Sequence, residues 1–197
     1  IQSDPGDQNI VYPVQLPFDF TYYSHTSNMI YISSNGYITF NDYGANSFPM
    51  NDPDMNPNLQ PDSMLAIFWD ELVLSPSGGG TQSPRIYTKT TGAAPYRKFI
   101  IIYSEVFLAG EPIFFDGPQT FQIILYETTN IIKYQYLDLG PSPVEKGQEA
   151  TVGIRFQDAS ISDSLTYSRI GVGNLSDTLA VLFHPSSALS SLSLIHI

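Results

Sequence analysis

Apolar and polar positions along this chain alternate in short runs, and no stretch keeps a 3.6-residue period. The runs are rich in β-branched and aromatic residues and end at turn residues, which predicts strands. "QLPFDFTYY" reads as an early strand, and Pro13 and Pro17 predict an edge or a strand start. "NMIYISSNGYITF" predicts a hairpin, because Asn35-Gly36 suits a tight turn that needs positive φ. "SMLAIFWDELVL", Ser63 to Leu74, predicts one long apolar strand. "RIYTKTT" is followed by the turn "GAAP". "RKFIIIYSEV" is apolar at consecutive positions, so it is expected to be covered on both faces. "TFQIILYETTNIIKYQYLDL" predicts a second hairpin turning near Glu127 to Asn130, and "ATVGIRF" and "LAVLFH" complete the set. Asn41 to Ser63 and Ser75 to Pro84 read as long loops, where binding function concentrates.

Eight to eleven strands without helices predict an all-β fold, a two-layer antiparallel β-sandwich of jelly-roll-like type. Its core is expected to take Phe121, Ile123, Leu125, Ile154 and one face of the "FIIIY" strand. With 197 residues the chain suits a single module over 1–187 with a tail at 188–197. The last six residues, Leu192 to Ile197, read as a translated sequencing adaptor of the kind a metagenomic read carries, and are set aside from the fold.

Charge narrows the partners. Eight basic residues stand against 19 acidic, a net of −11. Nucleic acid is not an expected partner, since phosphate neutralisation needs clustered Lys and Arg. No run of about 18 apolar residues exists, so no membrane span is expected. There is no Cys, which removes disulfides and thiolate chemistry together. Thirteen Tyr, 15 Pro and 14 Gly suit an extracellular all-β protein.

Read in order, "LPFDFTYY", "IYISSNGYITF", "MLAIFWDEL", "TFQIILYETTNIIKYQYLDL" and "ATVGIRF" resemble an extracellular module of large secreted bacterial proteins. The usual pattern there runs LPFxFxFYG, VSSNGxIxF, PFWDDL, FQVILYExGxIxFQY, ATVGI. It is similar to the NIDO domain of animal basement-membrane and mucin-like proteins. The resemblance spans Val14 to Phe183, with Ser24 where the pattern has Gly and no turn Gly in "ETTNIIKYQY". It implies a β-sandwich without enzymatic activity, located outside the cell or at its surface. The expected role is that of a binding or spacer module beside neighbouring domains of the same polypeptide, and a glycan or protein is the ligand to look for.

Three readings of the chemistry follow from the residues. "NDPDMNPN" sets Asp52, Asp54, Asn56 and Asn58 at alternate positions, hard oxygen donors that suit calcium. The same residues beside Pro are also good turn formers, and the stretch is not an EF-hand. No other cofactor is expected. Tyr43, Trp69, Asp70 and Glu71 are candidate ligand-binding residues beside the long loop. Tyr22, Tyr23, Tyr37, Tyr43, Tyr134 and Tyr136 are candidates for a tyrosine-lined carbohydrate-binding face, against core packing as the alternative. A hydrolase would have to pair Asp70 or Glu71 with Glu105 or Glu127 at a set separation. No G-x-S-x-G, H-E-x-x-H or His pair at metal spacing is present.

Overall fold

A strand with one apolar face must lay that face against another layer, and the segments above do so in two sheets. The computed structural model describes residues 10–42, 55–56, 61, 63–74, 84–109, 118–158 and 162–185, and the backbone of 192–196. The first sheet runs in the order β1 (Val11–Tyr22), β2 (His25–Ser33), β3 (Tyr37–Thr39), β4 (Met64–Trp69), β10 (Thr151–Gln157), β11 (Ser162–Ser168). The second runs β13 (Leu192–His196), β12 (Ala180–Pro185), β9 (Ile132–Asp138), β8 (Gln119–Tyr126), β7 (Lys98–Leu108), β5 (Leu72–Val73), with β6 (Arg85–Thr91) also paired to β7. All these pairs are antiparallel, so the fold is the expected all-β sandwich. The stretch set aside as a tail supplies the backbone of β13, paired with β12.

One continuous core lies between the sheets. It includes Phe121, Ile123, Leu125 and Ile154, together with Phe99, Ile101 and Tyr103 from the "FIIIY" strand. Phe121 stacks between Phe68 of the first sheet at 5.4 Å and Tyr103 at 4.9 Å, which carries aromatic contact from one layer to the other. The strand β7 is not covered on both faces as expected. Ile100 and Ile102 point away from the core and are only half-buried.

Three further segments add to the expectation or depart from it. The β2–β3 hairpin turns at Asn35-Gly36 as expected, but the turn is buried beneath β4, and of the two residues only Gly36 has positive φ, at 74°. A Cβ on Gly36 would stand 1.8 Å from the Phe68 carbonyl oxygen, so this position requires glycine. The Gly36 carbonyl accepts from both the Ile67 and Phe68 N–H groups, at 3.1 and 3.0 Å, which bulges β4. The segment Ser63 to Leu74 is not one strand. The chain leaves the first sheet after Trp69 and enters the second at Leu72. β11 escaped the sequence reading, because "SDSLTYS" lies at a sheet edge with mostly half-exposed side chains and no strong apolar alternation. The proline argument holds: β1 is an edge strand, and its register with β2 shifts between Gln15 and Phe20, around Pro17.

Candidate functional site

The corner where the chain changes sheets carries three of the candidate residues. Asn35 holds it: its backbone carbonyl accepts from the Asp70 N–H and its side-chain oxygen from the Leu72 N–H, each at 3.3 Å. Asp70 Oδ1 accepts from the Glu71 N–H at 2.8 Å, while Oδ2 is buried with no hydrogen-bond partner. Burial pushes the Asp70 carboxyl up to about 6; the Glu71 N–H opposes this, and the charges of Glu149 and Glu71 add to it. Glu71 fixes the corner through its carbonyl, which accepts from the Ala109 N–H at 2.9 Å.

The carboxylates proposed as partners are not gathered here. Glu127 chelates Arg97 at the opposite end of β8, with oxygens 2.9 and 2.6 Å from the guanidinium. Glu105 stands at a bulge of β7 beside Thr120, which begins the run of β8 leading to Glu127. Glu71 stands opposite Ala109, four strand steps along β7 from Glu105 or roughly 13 Å, and Glu127 lies farther still beyond the other end of β8, against the 5 to 10 Å or so that paired carboxylate catalysis uses. Among the described residues no group of three or more His, Cys, Asp or Glu could hold a metal ion. Tyr43, Asp52, Asp54 and Asn58 lie outside the described residues.

What is described of the long loop lies against the outer face of the first sheet. Tyr37, Met64, Ala66 and Trp69 form a small second core there, closed by Met55. Arg155, the cross-strand partner of Met64 on this face, is fully buried. Its guanidinium donates to the carbonyls of Pro61 at 3.0 Å and Asn56 at 2.9 Å, and sits 5.4 Å from the Trp69 ring centroid. Asn56 is therefore engaged through its backbone, and Trp69 packs under the loop and does not present a ring to solvent.

The tyrosines are mostly not a binding face. Tyr22, Tyr37, Tyr134 and Tyr136 are buried, and Tyr23 is half-buried against Phe156 at 4.7 Å. Three tyrosines of the second sheet reach across the core to carbonyls of the first. Tyr136 donates to Ile67 at 2.6 Å, Tyr134 to Gly153 at 2.9 Å, and Tyr103 to Ser33 at 2.8 Å. Those carbonyls lie at the β4 bulge, at the β10 register shift and at the β2–β3 turn, where the ladder is interrupted. The hydroxyls thus complete backbone groups that bulging leaves open.

The outer face of the second sheet is built otherwise. Tyr87, Ile102, Gln122 and Gln135 stand in direct cross-strand register on β6, β7, β8 and β9. Gln122 Nε2 donates to Gln135 Oε1 at 2.9 Å. This row floors a groove of about 390 Å³, with Tyr87 42 % and Leu137 69 % exposed at its rim. Leu137 is turned out by the β8–β9 register shift. Sequence reasoning missed this row, although counting the second hairpin back from its turn would have set Gln122 opposite Gln135.

Comparison with known proteins places the chain. The family model described as NIDO related matches residues 2–181. The chain belongs to the NIDO-related family. No curated protein and no solved structure matches it. In this NIDO-related domain the segments that carry the resemblance are scaffold. Asn35 and Gly36 support the corner, "FWDEL" makes the bulge and the crossing, and "FQIILYE" and "ATVGI" fill the core. The matched span also contains the whole row from Tyr87 to Gln135.

Proposed function

We propose that this NIDO-related domain is a non-catalytic binding module of a larger secreted or cell-surface protein, and that it meets its ligand on the outer face of the second sheet. The open groove over Gln122 and Gln135 carries this reading. It combines an exposed aromatic ring, an aliphatic floor and two side-chain amides, a small set of polar groups in an otherwise apolar recess. Tyr22, Tyr103, Tyr134, Tyr136 and Arg155 are committed to backbone carbonyls and so serve the fold. Asp70, though its carboxyl is poised near neutrality, faces no base or nucleophile among its hydrogen-bond partners. The family and the sparse lysine content support a place outside the cell. Among the described residues, no helix is long and apolar enough to cross a membrane.

The test is a screen of the whole chain against glycans, peptides and chromogenic glycoside and ester substrates, with ligand contacts mapped by amide hydrogen exchange. Protection of β6 to β9 without product release is the expected result. Product release that disappears in Asp70→Asn or Glu71→Gln would overturn the reading. Silence with every ligand would favour a spacer between neighbouring domains.

A further inference from the structure

The open face has a charge of its own. The row next to Tyr87–Ile102–Gln122–Gln135 is Lys89–Ile100–Ile124–Lys133, again in direct register across β6 to β9. Lys98 follows on β7 beside Tyr126, its ammonium 5.2 Å from the ring centroid. With Arg85, two residues before Tyr87 on β6, four of the chain's eight basic residues therefore stand on one sheet face, in a chain with a net charge of −11. The described carboxylates near this face sit at its ends. Glu105 is at the β7 bulge, and Asp138, at the end of β9, accepts from the Gly140 N–H at 3.2 Å. Among the described residues neither Lys89 nor Lys133 has an ion-pair partner.

We propose that this face binds an acidic polysaccharide, a run of uronate-type sugars laid across the strands. This deepens the reading of the groove as the binding surface and rests on it. Tyr87 offers a ring to the C–H face of one sugar. Gln122 and Gln135 spend one donor and one acceptor on each other, which leaves the Gln122 oxygen and the Gln135 amide hydrogens for ring hydroxyls. Lys89 and Lys133 stand three strand steps apart, about 14 Å, and meet carboxylates spaced along the chain.

The face suits a sugar polymer better than the other polyanions. Protein interfaces are depleted in lysine and centre on buried aromatic or arginine anchors, whereas here lysines flank amides in a shallow trough. Nucleic acid would need many more phosphate contacts than four basic groups can supply against the negative remainder of the molecule.

The experiment titrates the full chain with polygalacturonate and with the same polymer fully methyl-esterified, at low and high salt, while reducing ends are counted in the same tubes. The free acid should bind, and the ester should bind about tenfold more weakly or worse, since two ammonium contacts are lost. Lys89→Gln with Lys133→Gln should weaken the acid about tenfold and flatten the salt dependence. Tyr87→Ala should weaken both polymers alike, by about tenfold or less. These side chains are exposed or half-exposed, so thermal melting should be unchanged and confirms that the variants fold. Equal binding of acid and ester, or full affinity in the lysine variant, would overturn the acidic-polymer proposal and leave a neutral glycan site standing. Binding of an acidic protein but of neither polymer would also overturn it. New reducing ends would instead overturn the non-catalytic reading beneath it.

Discussion

The two outer faces of the sandwich are made from similar strands and finished in opposite ways. The first sheet buries the outward side chains of β3, β4 and β10, with Arg155 pinned to the Pro61 and Asn56 carbonyls and Trp69 beside it, while β1, β2 and β11 keep theirs exposed or half-exposed. The second sheet leaves Ile100 and Ile102 half-covered, with Tyr87, Lys89 and Lys98 exposed around a trough floored by amides. A buried guanidinium is stable only if its donors are met, so Arg155 commits this closed patch to the fold. The open face has donors and acceptors to spare. The difference teaches that outward residues are closed off only where another segment covers them, as Met55, Asn56 and Pro61 do on the first sheet.

The largest effect should come from strong alkali, which attacks the interior that both faces share. Burial holds the hydroxyls of Tyr22, Tyr103, Tyr134 and Tyr136 well above their ordinary pKa. The folded state therefore favours the neutral form. Its stability is whole below the unfolded tyrosine pKa of about 10 and falls as pH rises beyond it, by about 1.4 kcal/mol per pH unit for each tyrosine that ionises on unfolding. Denaturant midpoints measured against pH should be level to about pH 9.5 and then drop steeply; a level profile through pH 11 would show that the tyrosines are not sealed in.

Next comes Arg155→Met, which strikes the closed face alone. Two carbonyls lose their donor and the loop loses its pin. Stability should fall by about 3 kcal/mol, on the order of 10 °C in Tm, and the Asn41 to Ser63 segment should become the first site of proteolysis. An unchanged cleavage pattern would break the comparison at its root.

A smaller gain is expected at the corner. Asp70 has a raised pKa, so stability is whole below the ordinary carboxyl pKa of about 4, is lost as pH rises from there to about 6, and is level beyond it. Asp70→Asn should stabilise the protein by about 1 kcal/mol at pH 8, a gain that fades toward pH 4. Paired chemical melts at the two pH values measure it, and destabilisation at pH 8 would show that the carboxylate is held by a group on which the fold depends.

The smallest effect belongs to the open face. Gln122→Ala should change stability by less than about 0.5 kcal/mol while lowering glycan affinity, which separates a surface kept for binding from one kept for packing.

Much of this was legible in the residues. The alternation in "TFQIILYE" and "ATVGIRF" named Phe121, Ile123, Leu125 and Ile154 as core, and they are, because a period-2 pattern can bury only one face. Pro13 and Pro17 placed β1 at an edge, since proline cannot donate to a central ladder. The division of Ser63 to Leu74 was not legible. Its apolar run is continuous, and the break comes from Asn35, 35 residues upstream, whose two oxygens take the Asp70 and Leu72 N–H groups. The row across the open face was half-legible: the register of one hairpin sets Gln122 against Gln135, but Tyr87 reaches them only across β7, on a strand paired from outside that hairpin.

The chain by itself determined that there would be two sheets, most of the segments that form them and the inward positions of the strongly alternating strands, because these depend on local periodicity and turn chemistry. Only the tertiary structure decided what each outward side chain would become. Tyr136 and Tyr87 are the same residue type on strands of the same sheet, yet one donates to a bulged carbonyl in the core and the other stands at the rim of a groove. Which of them is free depends on what the opposite layer and the loop bring to it, and those contacts join residues far apart in the chain, where no local pattern reaches.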